Sequence, residues 1–246
     1  MRKSVSTRAL ALHHVETWLF DLDNTLYPAD SRLWEQVDRR INEMSARVLG
    51  LPLDKARLVQ KEYLRKYGTT LRGLMVEHNV DRDEYLDYVH DLDLAPILAN
   101  PRLGAALDRL PGRKLVFTNG TLAHAWRILA KLGIAGRFED VFDIHAADYL
   151  PKPDPTVYTM LVERHAIRPR GAMLFEDTAR NLKPAHDMGM TTAWVKVDWS
   201  WLRAPNAPPD DHSAYVHHEI DDLTDWLDAA SLALASPRAK KGRGAI

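Results

Sequence analysis

Short apolar runs alternate with longer stretches of helical periodicity over most of this chain. The runs Thr17–Phe20, Lys114–Phe117, Val141–Ile144, Ala172–Phe175, Thr192–Val195 and Tyr215–Val216 have the length and composition of buried strands. Between them Leu122, Trp126, Leu129 and Leu132 recur at the spacing of one helix face, as do Val157, Leu161 and His165. Parallel strands need helical crossovers and are buried on both faces, so this alternation predicts an α/β fold with a doubly wound, mainly parallel sheet.

Residues 29–98 break the alternation. Leu33, Val37, Ile41, Met44 and Val48 mark one amphipathic helix, and helical stretches follow over Lys55–Lys66, Leu71–His78 and Asp83–His90. No strand candidate interrupts them. The interval therefore reads as an all-helical cap inserted into a core made of 17–28 and 99–235. Residues 1–16 form an N-terminal arm. Residues 236–246 lack periodicity and read as a disordered basic tail, and Trp199–Pro209 reads as a loop.

With 246 residues, 46% of them hydrophobic and 27% charged, the chain is an ordinary globular protein. Its formal charge of −1 conceals an asymmetry: seven of the 33 basic residues lie in 1–8 and 236–246, which hold no acid, so residues 9–235 carry −8. An acidic body argues against a nucleic-acid footprint. The absence of cysteine removes disulfides, zinc–thiolate sites, iron–sulfur clusters and thiol nucleophiles, and fits a reducing compartment. No apolar run approaches the ~20 residues that span a bilayer, and Ala9–His14 is too short for a signal-peptide core. The expectation is a cytoplasmic protein without nucleic-acid or membrane partners; its oligomeric state is not legible.

The chemistry concentrates at strand ends. Asp21-Leu-Asp23-Asn-Thr25 follows the first strand directly, where open α/β sheets bind ligands. In an extended segment the two carboxylates share a side, so one can act as nucleophile and the other exchange protons if their surroundings separate their pKa values. The alternative is a helix or turn cap. The chain holds its own control: Asp91-Leu-Asp93 repeats the tripeptide at a helix end, with no strand before it, and reads as a linker turn. Thr118-Asn119-Gly120 follows the second strand and suits phosphate at a helix start, or a simple turn. Lys152 sits between two prolines, as a rigidly placed charge or a surface lysine. Glu176-Asp177 closes another strand, as caps or as ligands. Four carboxylates at one sheet edge are tolerable with a cation among them, and an all-oxygen set suits Mg²⁺.

Taken in order, these residues resemble the four motifs of the haloacid dehalogenase-like hydrolase superfamily, with Thr118, Lys152 and Asp177 lying 97, 131 and 156 positions after Asp21. The resemblance implies an aspartyl-phosphate on Asp21, with Asp23 as general acid and then base. It implies that Thr118 and Lys152 hold the phosphoryl oxygens, and that Asp21, the Asp23 carbonyl and Asp177 ligate Mg²⁺. Glu176 is either a further ligand or a support behind the ligands. Asn24 and Asn119, beside these residues in the same motifs, join Thr118 and Lys152 as candidate phosphate-binding groups. True dehalogenases lack an acid at the position of Asp23, which favours phosphoryl transfer.

The segments Phe20–Pro28, Tyr63–Leu74 and Phe175–Leu182 are similar to the pyrimidine 5′-nucleotidase branch. That similarity implies a nucleotide such as UMP or CMP beneath the cap. Tyr63, Tyr67 and Thr69 are candidate contacts to the base, although the tyrosines, four apart on one helix, equally suit packing within the cap. Rival substrates are a sugar phosphate, phosphoglycolate or flavin mononucleotide, and rival functions are a phosphomutase or a non-catalytic interaction protein on the same scaffold. The eleven histidines are scattered, with no His-Glu-x-x-His spacing, and read as structural or surface residues.

Overall fold

A computed structural model describes residues 12–197 and 211–235. The predicted basic tail, most of the N-terminal arm and the Trp199–Pro209 stretch lie outside them. Among the described residues one sheet contains β1 (Thr17–Phe20), β2 (Arg113–Phe117), β3 (Asp140–Phe142), β4 (Ala172–Glu176), β5 (Thr191–Val195) and β6 (His218–Ile220). Their order is β3-β2-β1-β4-β5-β6, and every pairing is parallel. Central β1 sets the register, with Trp18 opposite Lys114 on one side and Met173 on the other.

All four residues of β1 are buried, as a parallel strand covered on both faces requires. Trp18 and Phe20 face one layer with Val116, Met173 and Phe175, and Phe20 stacks on Phe175 at 4.7 Å. Against this layer pack α5 (Pro101–Arg109), α6 (Leu122–Leu132) and α9 (Leu223–Ala235). Leu19 faces the opposite layer with Leu115, Phe117 and Leu174, under α7 (Pro155–Arg164) and α8 (Leu182–Asp187).

The sixth strand corrects the sequence expectation. Tyr215 and Val216 lie in a turn, their N–H groups donating to the His212 carbonyl at 3.1 and 3.0 Å, and the strand begins at His218, opposite Ala193. An apolar doublet buries equally well from a turn, since two residues carry no periodicity. The third strand is also shorter than expected. It stops at Phe142, where the Asp143 carboxylate accepts from the Leu122 N–H at 2.8 Å and the Ala146 N–H at 2.9 Å.

Four helices are inserted between β1 and α5: α1 (Leu33–Leu49), α2 (Leu53–Tyr67), α3 (Thr70–His78) and α4 (Arg82–His90). Each boundary has a local cause. Gly50, at φ 64°, terminates α1 in the left-handed conformation, Thr69 caps α3, and Asp81 caps α4. Asp38 on α1 pairs with Arg57 and Lys61 on α2. The cap touches the core through Asp83, which accepts from the Tyr149 hydroxyl, and through Arg82, stacked over the Tyr149 ring. No helix among the described residues is long and apolar enough to cross a membrane.

Candidate active site

The carboxyl ends of β1, β2 and β4 meet where the strand order reverses, the place at which open α/β sheets form a crevice. The Asp21 N–H donates to the Phe175 carbonyl at 2.9 Å and so extends the β1–β4 ladder past the end of β1. The Thr118 N–H donates to the Phe142 carbonyl at 3.0 Å beyond β2. Side chains that follow these strands are thus fixed by backbone pairing before any polar contact is considered.

Lys152 is the centre of one half of the site. Its Nζ donates to Asp21 Oδ1 at 2.7 Å, Glu176 Oε2 at 2.6 Å and the Phe117 carbonyl at 2.9 Å, which uses all three protons. The lysine is 2% exposed and Glu176 1%, so this side of the network is buried. Thr25 donates to the other oxygen of Asp21. Asn181 and the Thr178 N–H donate to Glu176 Oε1, and the Trp194 indole holds the Asp177 carbonyl at 2.8 Å.

This half carries a surplus of buried negative charge. Asp21, Glu176 and Asp177 present carboxylate oxygens within 4.8 Å of one another. Burial, and then Glu176, push Asp21 up to about 7 although Lys152 opposes the shift. Burial, Glu176 and Asp21 hold Asp177 well above the usual carboxylate range. Burial works against the charged lysine, but Asp21 and Glu176 outweigh it and raise Lys152 above its ordinary value. Three buried acids with a single cation fit a hard divalent metal with oxygen ligands.

The second half surrounds Asp23. Its Oδ1 accepts from the Tyr27 hydroxyl at 2.6 Å and is bonded by His124 Nε2 at 3.0 Å. Burial alone would raise this carboxyl; His124 and Tyr27 outweigh it and hold Asp23 below its ordinary value. Burial and Asp23 push the Tyr27 phenol well up, so it remains a donor. His90, at the end of α4, stacks on His124 at 4.5 Å. The desolvated junction and the neighbouring His124 ring push His90 down to about 3.

The remaining candidates occupy varied places. Thr118 is buried, and its hydroxyl oxygen accepts from the Gly120 N–H at 2.9 Å, which leaves its proton available. Asn119 accepts from the Lys152 N–H at 2.9 Å and so ties two site loops together. Asn24, at φ 60°, is buried, and its Oδ1 has no partner among the described residues. A cleft of about 290 Å³ is lined by Asn24, Tyr27, Lys196 and Asp222, among others, but by none of Asp21, Asp23, Thr118, Lys152 or Asp177. It adjoins these residues without containing them.

In the cap, Tyr63 bonds His78 at 2.8 Å, Tyr67 donates to Glu77, and Thr69 caps α3. These polar ends are engaged within the cap itself. Gly68, between Tyr67 and Thr69, nevertheless lies against Pro151 and Lys152: a Cβ on it would stand 3.4 Å from the Pro151 side chain and 3.6 Å from the Lys152 carbonyl. This turn is where the cap meets the Pro151–Pro153 loop.

Sequence reasoning missed His124, His90 and the role of Tyr27. The last belongs to the Leu-Tyr-Pro continuation of the first motif. The signal for His124 was its place in the first turn of the helix that follows Thr118-Asn119-Gly120.

A family model described as haloacid dehalogenase-like hydrolase matches residues 15–189. The chain belongs to this family. Phosphate metabolism protein 8 of Saccharomyces cerevisiae is 27% identical over 191 residues, 71% of this chain and 60% of the yeast protein, so the chain spans less than two thirds of that relative. Glyceraldehyde 3-phosphate phosphatase of Methanopyrus kandleri is 28% identical over 199 residues, 74% of this chain and 84% of the archaeal protein. Among solved structures, a haloacid dehalogenase-like phosphatase from Thermococcus onnurineus superposes with a TM-score of 0.56 at 21% identity, covering 87% of this chain and 97% of the other. That likeness concerns the fold.

Proposed function

We propose that this chain is a Mg²⁺-dependent phosphomonoester hydrolase that works through an aspartyl-phosphate on Asp21, with a pyrimidine nucleoside 5′-monophosphate such as UMP or CMP as substrate. Family membership supports the hydrolase class, and the Methanopyrus relative supports a phosphatase. The observation that carries the reading is that Asp21 and Asp23, two residues apart, sit in surroundings that move their pKa values in opposite directions. The nucleotide assignment rests on the first-motif and cap segments, and a cytoplasmic location on composition.

In the first displacement an Asp21 oxygen forms a bond to phosphorus as the bond to the ester oxygen breaks, and Asp23 gives its proton to the departing alkoxide. In the second, Asp23 takes a proton from water as the water oxygen bonds to phosphorus and the Asp21–phosphorus link breaks. Thr118 and Lys152 hold the phosphoryl oxygens in both, the lysine by turning toward the phosphoryl group the proton it gives Asp21 Oδ1 in the free protein, while Glu176 keeps it in place. Asp21, Asp177 and the Asp23 carbonyl would hold Mg²⁺, which supplies positive charge that favours ionised Asp21 and offsets the transferring phosphoryl group. In the free protein Asp21 is drawn toward its protonated form and Asp23 toward its ionised one; an anionic ester beside Asp23 raises it into the acid form that the first step needs. Cutting such an ester is among the slowest reactions in water, so dividing it into two displacements at a preorganised site is the economical route.

The test is phosphate release from a panel of nucleotides, sugar phosphates, phosphoglycolate and flavin mononucleotide, with Mg²⁺ and with chelator, beside Asp23→Asn. Preferred turnover of UMP and CMP, lost with chelator and reduced about 10²- to 10⁴-fold in the variant, is the expected result. Isomerised sugar phosphate without free phosphate would replace hydrolysis by a mutase. A sugar phosphate is the second reading, favoured by the triose phosphate in the name of the Methanopyrus relative; preference for such a substrate would overturn the nucleotide assignment and keep the chemistry.

A further inference from the structure

We propose that His124, together with Tyr27, is a positioning residue that pins Oδ1 of Asp23 and dedicates Oδ2 to proton exchange. The inference rests on the phosphatase reading above and adds to it a division of labour between the two oxygens of one carboxyl group.

Both donors converge on a single atom. The Tyr27 hydroxyl and His124 Nε2 reach Asp23 Oδ1 at 2.6 and 3.0 Å, and among the described residues no group bonds Oδ2. Two donors on Oδ1 make it the weaker base and direct the exchangeable proton to Oδ2. They also fix the side-chain torsion, because rotation of the carboxyl would cost both bonds at once. Asp23 keeps 15% of its side chain exposed while His124, on the pinned edge, keeps 1%.

The scaffold around His124 is built to hold the ring there. Thr121 caps α6 by accepting from the His124 N–H at 3.2 Å, which places the ring in the first turn, beside Thr118-Asn119-Gly120. Gly120 makes room for it, since a Cβ there would stand 3.2 Å from His124 Cδ2. His90 covers the ring with its plane inclined by 18°. Nδ1 of His124 is buried with no partner among the described residues. The tautomer with its proton on Nε2 donates to Asp23 and leaves only a bare lone pair on Nδ1, whereas the opposite tautomer would bury an N–H without an acceptor.

Proton balance follows. Oδ2–H passes its proton to the leaving alkoxide as the ester P–O bond breaks, and Oδ2 recovers a proton from the attacking water as the Asp21–phosphorus bond breaks. Both donors stay on Oδ1 throughout.

The experiment compares kcat/KM, which reports formation of the aspartyl-phosphate, for an ester with a poor leaving group (UMP) and one that departs without a proton (p-nitrophenyl phosphate). His124→Phe keeps the stacking ring and deletes the donor; His124→Gln keeps an N–H; Tyr27→Phe deletes one oxygen. For His124→Phe the expected loss is about 10- to 100-fold on UMP and under about 3-fold on p-nitrophenyl phosphate. Tyr27→Phe is expected to be selective in the same sense, and His124→Gln to recover most of the loss. An equal loss on both esters, or none on UMP, overturns the positioning role and leaves the phosphatase reading intact. If the unaltered protein prefers another alkyl monoester, that ester replaces UMP in the comparison. Absence of turnover on every monoester overturns the function and this role with it.

Discussion

At Asp21-Leu-Asp23 the chain leaves the end of β1, and at Asp91-Leu-Asp93 it leaves the end of α4. In both copies the leucine turns inward, Leu22 at 0% exposure and Leu92 at 5%. The acids differ. Asp21 is buried against Lys152, and Asp23 is held by Tyr27 and His124. Asp91 pairs with Arg40 across the surface and Asp93 accepts from the Ala95 N–H. A strand end at a switch point is walled by other strand ends, so a carboxylate there is desolvated and must find partners. A helix end has water on one side, and the same side chain needs nothing more than a turn to cap.

The sharpest way to break this comparison is Asp21→Asn. The variant should fold and lose phosphate release by on the order of 10⁴-fold or more in a steady-state assay; retained turnover would make the two copies chemically equal. Lys152→Met comes next. Deleting the one cation that pairs with these buried carboxylates among the described residues should cost about 3–5 kcal/mol in denaturant unfolding, and a smaller loss would mean that the network admits water.

A third, smaller effect is visible in pH. The Asp21 carboxyl titrates at 3.8 when unperturbed and at about 7 in the folded, metal-free protein. Between those values the folded form binds more protons than the unfolded one, so its stability falls as pH rises through the window. Metal-free thermal melts should therefore give a Tm a few °C higher near pH 5 than near pH 7 from this group, a slope that Asp21→Asn flattens. Mg²⁺ should raise Tm more at pH 7, where the carboxylates are ionised; an equal rise at both values would detach the metal from this cluster. The smallest effect belongs to the control. Asp91→Asn and Asp93→Asn should shift stability by no more than about 0.5 kcal/mol and leave turnover unchanged, and a large loss in either would show that the linker turn touches the reaction.

The Lys152 half of the site was legible because each of its residues follows a strand signal or stands between prolines, features that local sequence carries. Asp21, Thr118 and Glu176-Asp177 could be placed at one sheet edge once the strands were ordered. The Asp23 half was not legible in the same way. His124 is 101 positions from its partner and is one of eleven histidines, and only its place just after Thr118-Asn119-Gly120 sets it apart from His165, which packs in the opposite layer near Phe142. Tyr63 and Tyr67 show the converse: their spacing placed both on one helix, while only the fold spent their hydroxyls on His78 and Glu77. The sixth strand slid from Tyr215–Val216 to His218–Ile220 because its pairing with β5, rather than apolar content, decides where a short edge strand begins.

By itself the chain determined the α/β alternation, the helical insertion and the ordered set of acids, hydroxyl and lysine, because strand burial, helix periodicity and strand-end motifs are local properties. The tertiary structure decided which environment each acid received. A pKa depends on what stands within a few ångströms, and folding brings Glu176 and Lys152 to Asp21, and His124 to Asp23, from distant parts of the chain.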